Sequence, residues 1–254
     1  MSMQYIQKIN GLDVIAEYSD ESVHELFIPL LKGLTALQKQ RNKRILVLLA
    51  APPAAGKSTL VSFLQYLSGR IPEVTPVTAV GMDGFHHRQT YLQSHTVWKE
   101  GQQIPMTKIK GAPISFDLEA LAQRIRMLTQ LESCPWPQYD RKLHDPVDNA
   151  VVITGDIVLI EGNYLLLDQP GWRELQKDAD YTIRILADPK DVRQRLIDRK
   201  AKGCGSLEEA ILHVDRSDIP NVRLCMECGL EADMTWKLNC DGSYGYVAGS
   251  FPSV

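Results

Sequence analysis

The chain has 254 residues, 44% hydrophobic and 23% charged, the make-up of an ordinary globule with a core large enough to need no disulfide or metal staple. Its 28 Lys and Arg against 31 Asp and Glu leave a net charge of −3, which argues against a nucleic-acid surface as the main role. The longest apolar run is too short to span a bilayer and no N-terminal stretch resembles a signal peptide, so a cytoplasmic location with no membrane partner is expected.

Residues 4–18 alternate around Asn10-Gly11, the signal of a two-residue hairpin turn. Val23, Leu26, Phe27, Leu30, Leu34 and Leu37 then recur at helical spacing, and Pro29 among them predicts a kink or a late helix start. This N-terminal extension, residues 1–43, shows no pattern that bears chemistry. Packing on the main sheet is its expected role, and its exposed hairpin offers a surface for oligomer contacts such as a homodimer.

The next stretch, RILVLLAAPPAAGKST from Arg44, carries the strongest signal in the chain. Ile45 to Leu49 form a branched apolar run of the kind that makes a buried parallel strand. After the break at Pro52-Pro53 come Ala54, Ala55, Gly56, Lys57, Ser58 and Thr59, and then a helical face of Leu60, Phe63, Leu64 and Leu67 capped at Gly69. Strand, small-residue loop, Gly-Lys-Ser and helix in that order are the context of a phosphate-binding P-loop. Backbone N–H groups of the loop and the helix start face the phosphates, Lys57 bridges the outer ones, and the Ser58 hydroxyl suits a magnesium ion. Ala51 stands where the motif usually begins with glycine, and Ala54 and Ala55 sit inside the loop. Close approach of phosphate survives this if the alanines keep negative φ.

Thr75 to Val80 is a short β-rich run ending in Gly81-Met82-Asp83-Gly84-Phe85-His86-His87. An acid just beyond a strand's C-terminal end lies on the ligand-binding rim of an open α/β sheet. Two readings of Asp83 stand open: the base that orients and deprotonates an acceptor hydroxyl, or a turn aspartate beside glycine. Residues 88–116 are polar with little periodicity and read as a loop or small lobe on the acceptor side, carrying Lys99, Lys108 and Lys110. Asp117 caps a helix with Leu118, Leu121, Ala122, Ile125 and Leu128 on one face. Pro135-Trp136-Pro137 ends that segment, and Tyr139 to Pro146 reads as a polar loop. In it Arg141 and His144 are candidates to hold an anionic acceptor or the nucleotide phosphates, against the plainer reading of local ion pairs.

Val151 to Thr154 and Ile157 to Ile160 are strand-like, and the second runs into Glu161. Four apolar residues and then an acid at a strand end suit a carboxylate that reaches magnesium directly or through water. Tyr181 to Ala187 is another strand, and Asp188-Pro189 starts a helix that carries Arg193, Arg195, Arg199, Lys200 and Lys202. Arg195 and Arg199, four apart, share a face, so residues 190–220 are either a lid over a transferring phosphate or a solvated basic surface. Ser206 to Glu209 is a capping box, and Met234 to Leu238 with Tyr244 to Val247 form a C-terminal hairpin about Asp241-Gly242. Of the five cysteines, Cys225 and Cys228 alone are close in sequence. With Cys204 and Cys240 they make a four-sulfur site conceivable, beside the ordinary reading of small packed thiols.

Alternating strands and helices imply a doubly wound, mostly parallel α/β sheet in a single domain spanning 1–254. With the pieces placed, AAPPAAGKSTL, MDGFHH, KGAPISFD, WPQYDRKLHDPV, IEGNYLLLD and VDRSDIPNVRL together resemble P-loop small-molecule kinases. The branch is that of uridine kinase, phosphoribulokinase and bacterial pantothenate kinase, and within it the bacterial kinases associated with fructose transport are most alike. The resemblance implies a five-stranded parallel core, ATP and Mg2+ as cofactors, and a small-molecule hydroxyl substrate. It further implies that Asp83 is the acceptor-side carboxylate, Glu161 the acid near magnesium, and Arg195 and Arg199 lid residues. Ala54 replaces a glycine common in such kinases, and a positive φ there would weaken nucleotide binding or activity. A regulatory nucleotide-dependent switch or ATPase is the alternative. A GTPase is disfavoured, because Asn42-Lys43 is followed by Arg44-Ile45 and no Asn-Lys-x-Asp string occurs.

Overall fold

The structure, a computed structural model, describes residues 2–9, 12–99, 101–201 and 206–252. Strands β1 (Ser2–Ile9) and β2 (Leu12–Ser19) pair antiparallel with Tyr5 opposite Ala16. The expected turn residues, Asn10-Gly11, lie outside the described residues. Alternation turns Tyr5 and Tyr18 inward, where Tyr18 stacks on Phe63 at 4.3 Å and the Tyr5 hydroxyl hydrogen-bonds Ser62 Oγ at 2.8 Å. A π-type turn over Ser22–Phe27 leads into helix α1 (Ile28–Arg41), with Pro29 in its first turn. Neither the expected kink nor a late start is what the backbone does: it is helical from Asp20, and the π-type segment just before Pro29 takes up the missing N–H.

Strand β3 (Ile45–Ala50) has every residue buried. Ile45, Val47 and Leu49 enter the core shared with α1 and with helix α2 (Lys57–Ser68), whereas Leu46 and Leu48 enter a second core on the opposite face. Burial on both faces is why the run is continuously apolar. Strand β4 (Val77–Gly81) comes next, then a 3-10 turn (Met82–Phe85). Helix α3 (Gln89–Ser94) and the hairpin of β5 (Thr96–Lys99) and β6 (Gln102–Pro105) give residues 88–116 an ordered small-lobe structure. Helix α4 (Leu118–Leu128) begins where Asp117 accepts the Ala120 N–H at 2.9 Å, the expected cap.

The polar stretch expected to be a loop at Tyr139 to Pro146 is instead the tip of a hairpin. Strand β7 (Cys134–Asp140) pairs antiparallel with β8 (Asp145–Ile153), and Val151 to Ile153 belong to β8, not to a separate strand of the main sheet. Pro137 is tolerated because the ladder is irregular between Trp136 and Gln138, whereas Pro135 and Pro146 pair in register with Val152 and Tyr139. At the tip, Asp140 Oδ1 accepts the Lys142 and Leu143 N–H groups at 2.7 and 3.0 Å, which bends the chain back.

The chain continues through β9 (Ile157–Gly162), β10 (Tyr181–Ala187), α5 (Pro189–Ala201), α6 (Leu207–His213), α7 (Ile219–Glu227), β11 (Met234–Leu238) and β12 (Tyr244–Gly249). Main-sheet order is β4-β9-β3-β10-β11-β12, and β12 alone runs antiparallel, so the expected five-stranded parallel core and C-terminal hairpin are both present. The chain leaves β3 toward β4 and β9 on one side and reaches β10 and β11 on the other. That divergence opens a crevice at the C-terminal ends of the strands. Among the described residues no helix is long and apolar enough to cross a membrane.

The β7–β8 hairpin is pinned to the rim of this crevice. Trp136, fully buried, donates its indole N–H to the Gly81 carbonyl at 2.9 Å, and a Cβ on Gly84 would collide with the Pro137 carbonyl. Gly84→Ala is therefore expected to destabilise the protein by about 1–3 kcal/mol. Chemical denaturation checks this, and an unchanged midpoint would show that the hairpin does not seat tightly beside Asp83.

Candidate active site

The chain leaves β3 and turns through Pro52 to Gly56 into α2. Ala55 N–H donates to the Pro52 carbonyl at 3.2 Å, and both Ala54 (φ 62°) and Gly56 (φ 77°) are left-handed. Successive N–H groups in such a loop form an anion-binding concavity. Ala51 and Ala55 keep negative φ, the condition for close approach of phosphate, and Ala54 does not meet it. The strain at a non-glycine residue in this region is about 1–2 kcal/mol. Behind the loop the Tyr244 hydroxyl donates to the Ala55 carbonyl at 3.3 Å.

Ser58, in the first turn of α2, donates its hydroxyl to Glu161 Oε1 at 2.6 Å. Glu161 ends the fully buried β9, in register with Leu49 on β3 and Gly81 on β4. Burial pushes its carboxyl above the usual range, against the pull of Lys57. A hydroxyl and a carboxylate oxygen side by side next to a phosphate-binding loop are the donors a hard cation such as Mg2+ takes, so these residues fit that ion. Gly81 makes room for them, since a Cβ there would lie 3.1 Å from Glu161 Oε1. The cysteines are arranged differently. Cys225 is buried with its thiol on the Asn163 carbonyl at 3.3 Å, Cys240 is exposed, and Cys204 lies outside the described residues. Among the described residues no three His, Cys, Asp or Glu side chains gather as a metal site.

A cavity of about 650 Å³ opens over the loop, lined by Pro53, Ala54 and Gly56 to Thr59. Asp83 and His86, from beyond β4, line its far side. His86 Nδ1 lies 2.9 Å from the Asp83 carbonyl, which can only accept, so the proton sits on Nδ1 and Nε2 remains the acceptor. The His86 ring packs 3.8 Å from Phe116, and burial holds its pKa below the ordinary histidine value. Lys108, Lys110 and Arg141 join this wall. His144 does not: its side chain is exposed outside the cavity, and its carbonyl accepts Lys110 Nζ at 2.9 Å.

The basic helix α5 divides its charges. Arg193 forms a two-pronged pair with Asp215 at 2.7 and 2.8 Å, whereas Arg195, Arg199 and Lys200 line the cavity. Burial, and then Arg141, lower the Arg199 pKa. Lys202 lies outside the described residues.

Three lining groups escape the sequence reading. Asn163, two residues past Glu161 and so on the same strand-end rim, has a buried Oδ1 with no hydrogen-bond partner among the described residues. Asp218 comes from the helical segment between α6 and α7, where charge spacing offers no signal. Ile9 and Val14 also line the cavity. The parity that turns Tyr5 and Tyr18 inward assigns these two to the same face, so the N-terminal hairpin is a wall of the site and not only a packing element.

No family model matches the chain. It is 37% identical over 241 residues to the uncharacterised protein YggC of Escherichia coli K12, covering 94% of this chain and 98% of that one. A solved structure of a candidate fructose transport system kinase from Silicibacter sp. TM1040 is 31% identical with a TM-score of 0.68, over 80% of this chain and 98% of that one. The chain belongs to the P-loop kinases of the uridine kinase and pantothenate kinase branch. A candidate uridine kinase of Schizosaccharomyces pombe, 29% identical over 189 residues, matches 72% of this chain and 78% of its own.

Two outcomes follow for this P-loop kinase. Ala54→Gly removes the left-handed strain but loosens the unfolded chain, so a net gain of up to about 1 kcal/mol is expected, with tighter nucleotide binding. Lower stability in thermal unfolding would count against strain at that residue. For His86, burial favours the neutral ring, so the unfolded chain binds the proton more tightly. The stability this contributes is present above about pH 6.5 and is lost as pH falls through the lowered folded value. His86→Asn should flatten that acid-side slope in urea titrations across pH.

Proposed function

We propose that the protein is an ATP-dependent kinase that transfers the γ-phosphate to a hydroxyl of a small metabolite, assisted by Mg2+. The observation that carries this reading is the convergence of Ser58, Glu161 and Asp83 on one recess beside Lys57, with Ser58 Oγ and Glu161 Oε1 2.6 Å apart. A nucleotide switch has use for the first two residues but none for a carboxylate on the acceptor side.

In this reading the loop from Pro53 to Thr59 holds the phosphates, and Lys57 pairs with the outer ones. A magnesium ion held by Ser58 and Glu161 would supply positive charge to the phosphate oxygens. Asp83 orients the acceptor hydroxyl and takes its proton as the oxygen bonds to the γ-phosphorus. The bond from that phosphorus to its bridging oxygen breaks, and ADP leaves. Arg195 and Arg199 take up charge on the transferring group, and His86 Nε2 is placed to accept a neighbouring hydroxyl. Most of the rate comes from positioning and fixed charge, because the protein forms no covalent intermediate.

Asp83→Asn is expected to lower kcat by about 10²–10⁴ with nucleotide binding kept, in an assay of purified protein against a metabolite library. Phosphoryl transfer undiminished by this change would remove Asp83 from the role. ATP hydrolysis without transfer to any hydroxylated metabolite would favour a regulatory ATPase instead.

A further inference from the structure

The acceptor wall carries more positive charge than the nucleotide uses. Lys57, Arg195 and Arg199 are the cations that the kinase reading assigns to phosphate. A magnesium-bound nucleoside triphosphate brings only roughly two net negative charges. With Lys200 these cations answer both it and the carboxylates of Glu161 and Asp218, which leaves Asp83 alone among the cations of the acceptor side. Lys108, Lys110 and Arg141 line the same cavity on the side of Asp83 and His86. They come from two unrelated pieces of chain, the 3-10 turn Met106–Ile109 with the residue after it, and the β7–β8 tip.

None of the three forms an ion pair among the described residues; the pairs that exist belong to Lys32, Lys43, Arg88, Arg173 and Arg193. Lys110 is nonetheless held in place. Its Nζ donates to Gln89 Oε1 at 3.1 Å and to the His144 carbonyl at 2.9 Å, and it stands 5.2 Å from the centre of the Tyr139 ring. The backbone beside it is anchored by the Tyr164 hydroxyl, which donates to the Gly111 carbonyl at 2.6 Å. Both partners of Nζ are neutral, so its charge is uncompensated and one of its three protons is unused. Arg141 makes no hydrogen bond or ion pair to any described residue, and its planar fork suits a two-oxygen anion. A neutral acceptor would leave like charges facing one another across the cavity, whereas an anion relieves that repulsion.

We infer that the acceptor is a hydroxylated metabolite that already bears an anionic group, a phosphate monoester or a carboxylate, held by Lys110 and Arg141 while its free hydroxyl faces Asp83. This deepens the kinase reading and rests on it.

The test begins with binding. The full chain, with Mg2+ and a non-hydrolysable ATP analogue, is titrated with inorganic phosphate and, separately, with acetate, at ionic strength held constant with chloride. A saturable rise in the thermal midpoint is expected with one of the two anions, and which one assigns the phosphate or the carboxylate class. Arg141→Gln and Lys110→Gln should each weaken that binding by at least about tenfold. Arg141 makes no hydrogen bond or close ion pair to a described residue, and its field acts on Glu161, His86 and Arg199 only from a distance, so its variant remains informative if the lysine variant is unstable. Absence of saturation with both anions, or equal affinity in both variants, overturns the inference and leaves the kinase reading standing. A turnover arm compares matched neutral polyols, their phosphate esters and their acids. Charged members are expected to be phosphorylated at least about a hundredfold more efficiently. Equal use of the neutral parent overturns the inference alone, and transfer to none of them counts against the kinase reading itself.

Discussion

Glu161 closes a strand in which every residue is buried, and a carboxylate in that position is unfavourable unless its charge is answered. Three groups answer it: the Lys57 ammonium and the Ser58 hydroxyl, both in the first turn of α2, and after them Arg141. The helix can therefore begin only where it reaches the end of β9, and the pairing of Leu49 with Glu161 puts the end of β3 level with that point. The P-loop has to join two positions that the sheet has already set. Left-handed backbone at Ala54 and Gly56 is how so short a loop does it, with strain at the alanine as the consequence.

The same rim explains how charge is sorted across the molecule. Cations that have no business in the cavity are tied elsewhere: Arg88 to Asp148, Arg193 to Asp215, and Arg44 to the carbonyls of Leu128, Leu131 and Glu132. Those that line it outnumber the carboxylates they face, Glu161 for Lys57 and Asp218 for Arg199 and Lys200, and burial with the nearby Arg141 lowers the Arg199 pKa. Cations packed together in this way are a cost that a bound anion relieves.

Much of this was legible because it depends on local pattern. The buried run Ile45 to Leu49, the Gly-Lys-Ser after it and the acid closing β9 each sit inside one element whose period or end rule gives the residue its place. The β7–β8 hairpin was hidden because its prolines and polar tip imitate a loop, although Pro135 and Pro146 keep the ladder's register and Pro137 falls at its irregularity. His144 misled for a related reason. In an extended loop it would share the chemistry of Arg141, but the turn wound by Asp140 points the two apart. Asn163 and Asp218 reach the cavity through tertiary placement, which no window of sequence records. At Ala54 the sequence shows only that an alanine stands in the loop, because the sign of its φ depends on the distance to be spanned.

The N-terminal hairpin is the part whose role changed most, and the reason is packing. Tyr18 stacks on Phe63 and Tyr5 bonds Ser62, one turn beyond Ser58 on α2, so the hairpin rests on the helix that starts the P-loop. Tyr244 completes the bracket. Its ring lies 6.4 Å from Tyr18, its backbone exchanges hydrogen bonds with Ser22, and its hydroxyl supports Ala55 from behind. Pressure on one member of this set is carried to the phosphate loop through aromatic rings that have little room to move. The cavity thus has two unlike borders. On one side are the aliphatic Ile9 and Val14, fixed by that aromatic bracket. On the other is α5, whose Arg199 faces Arg141 as well as the carboxylates of Asp218 and Asp83, so that charge and not aromatic packing shapes that border.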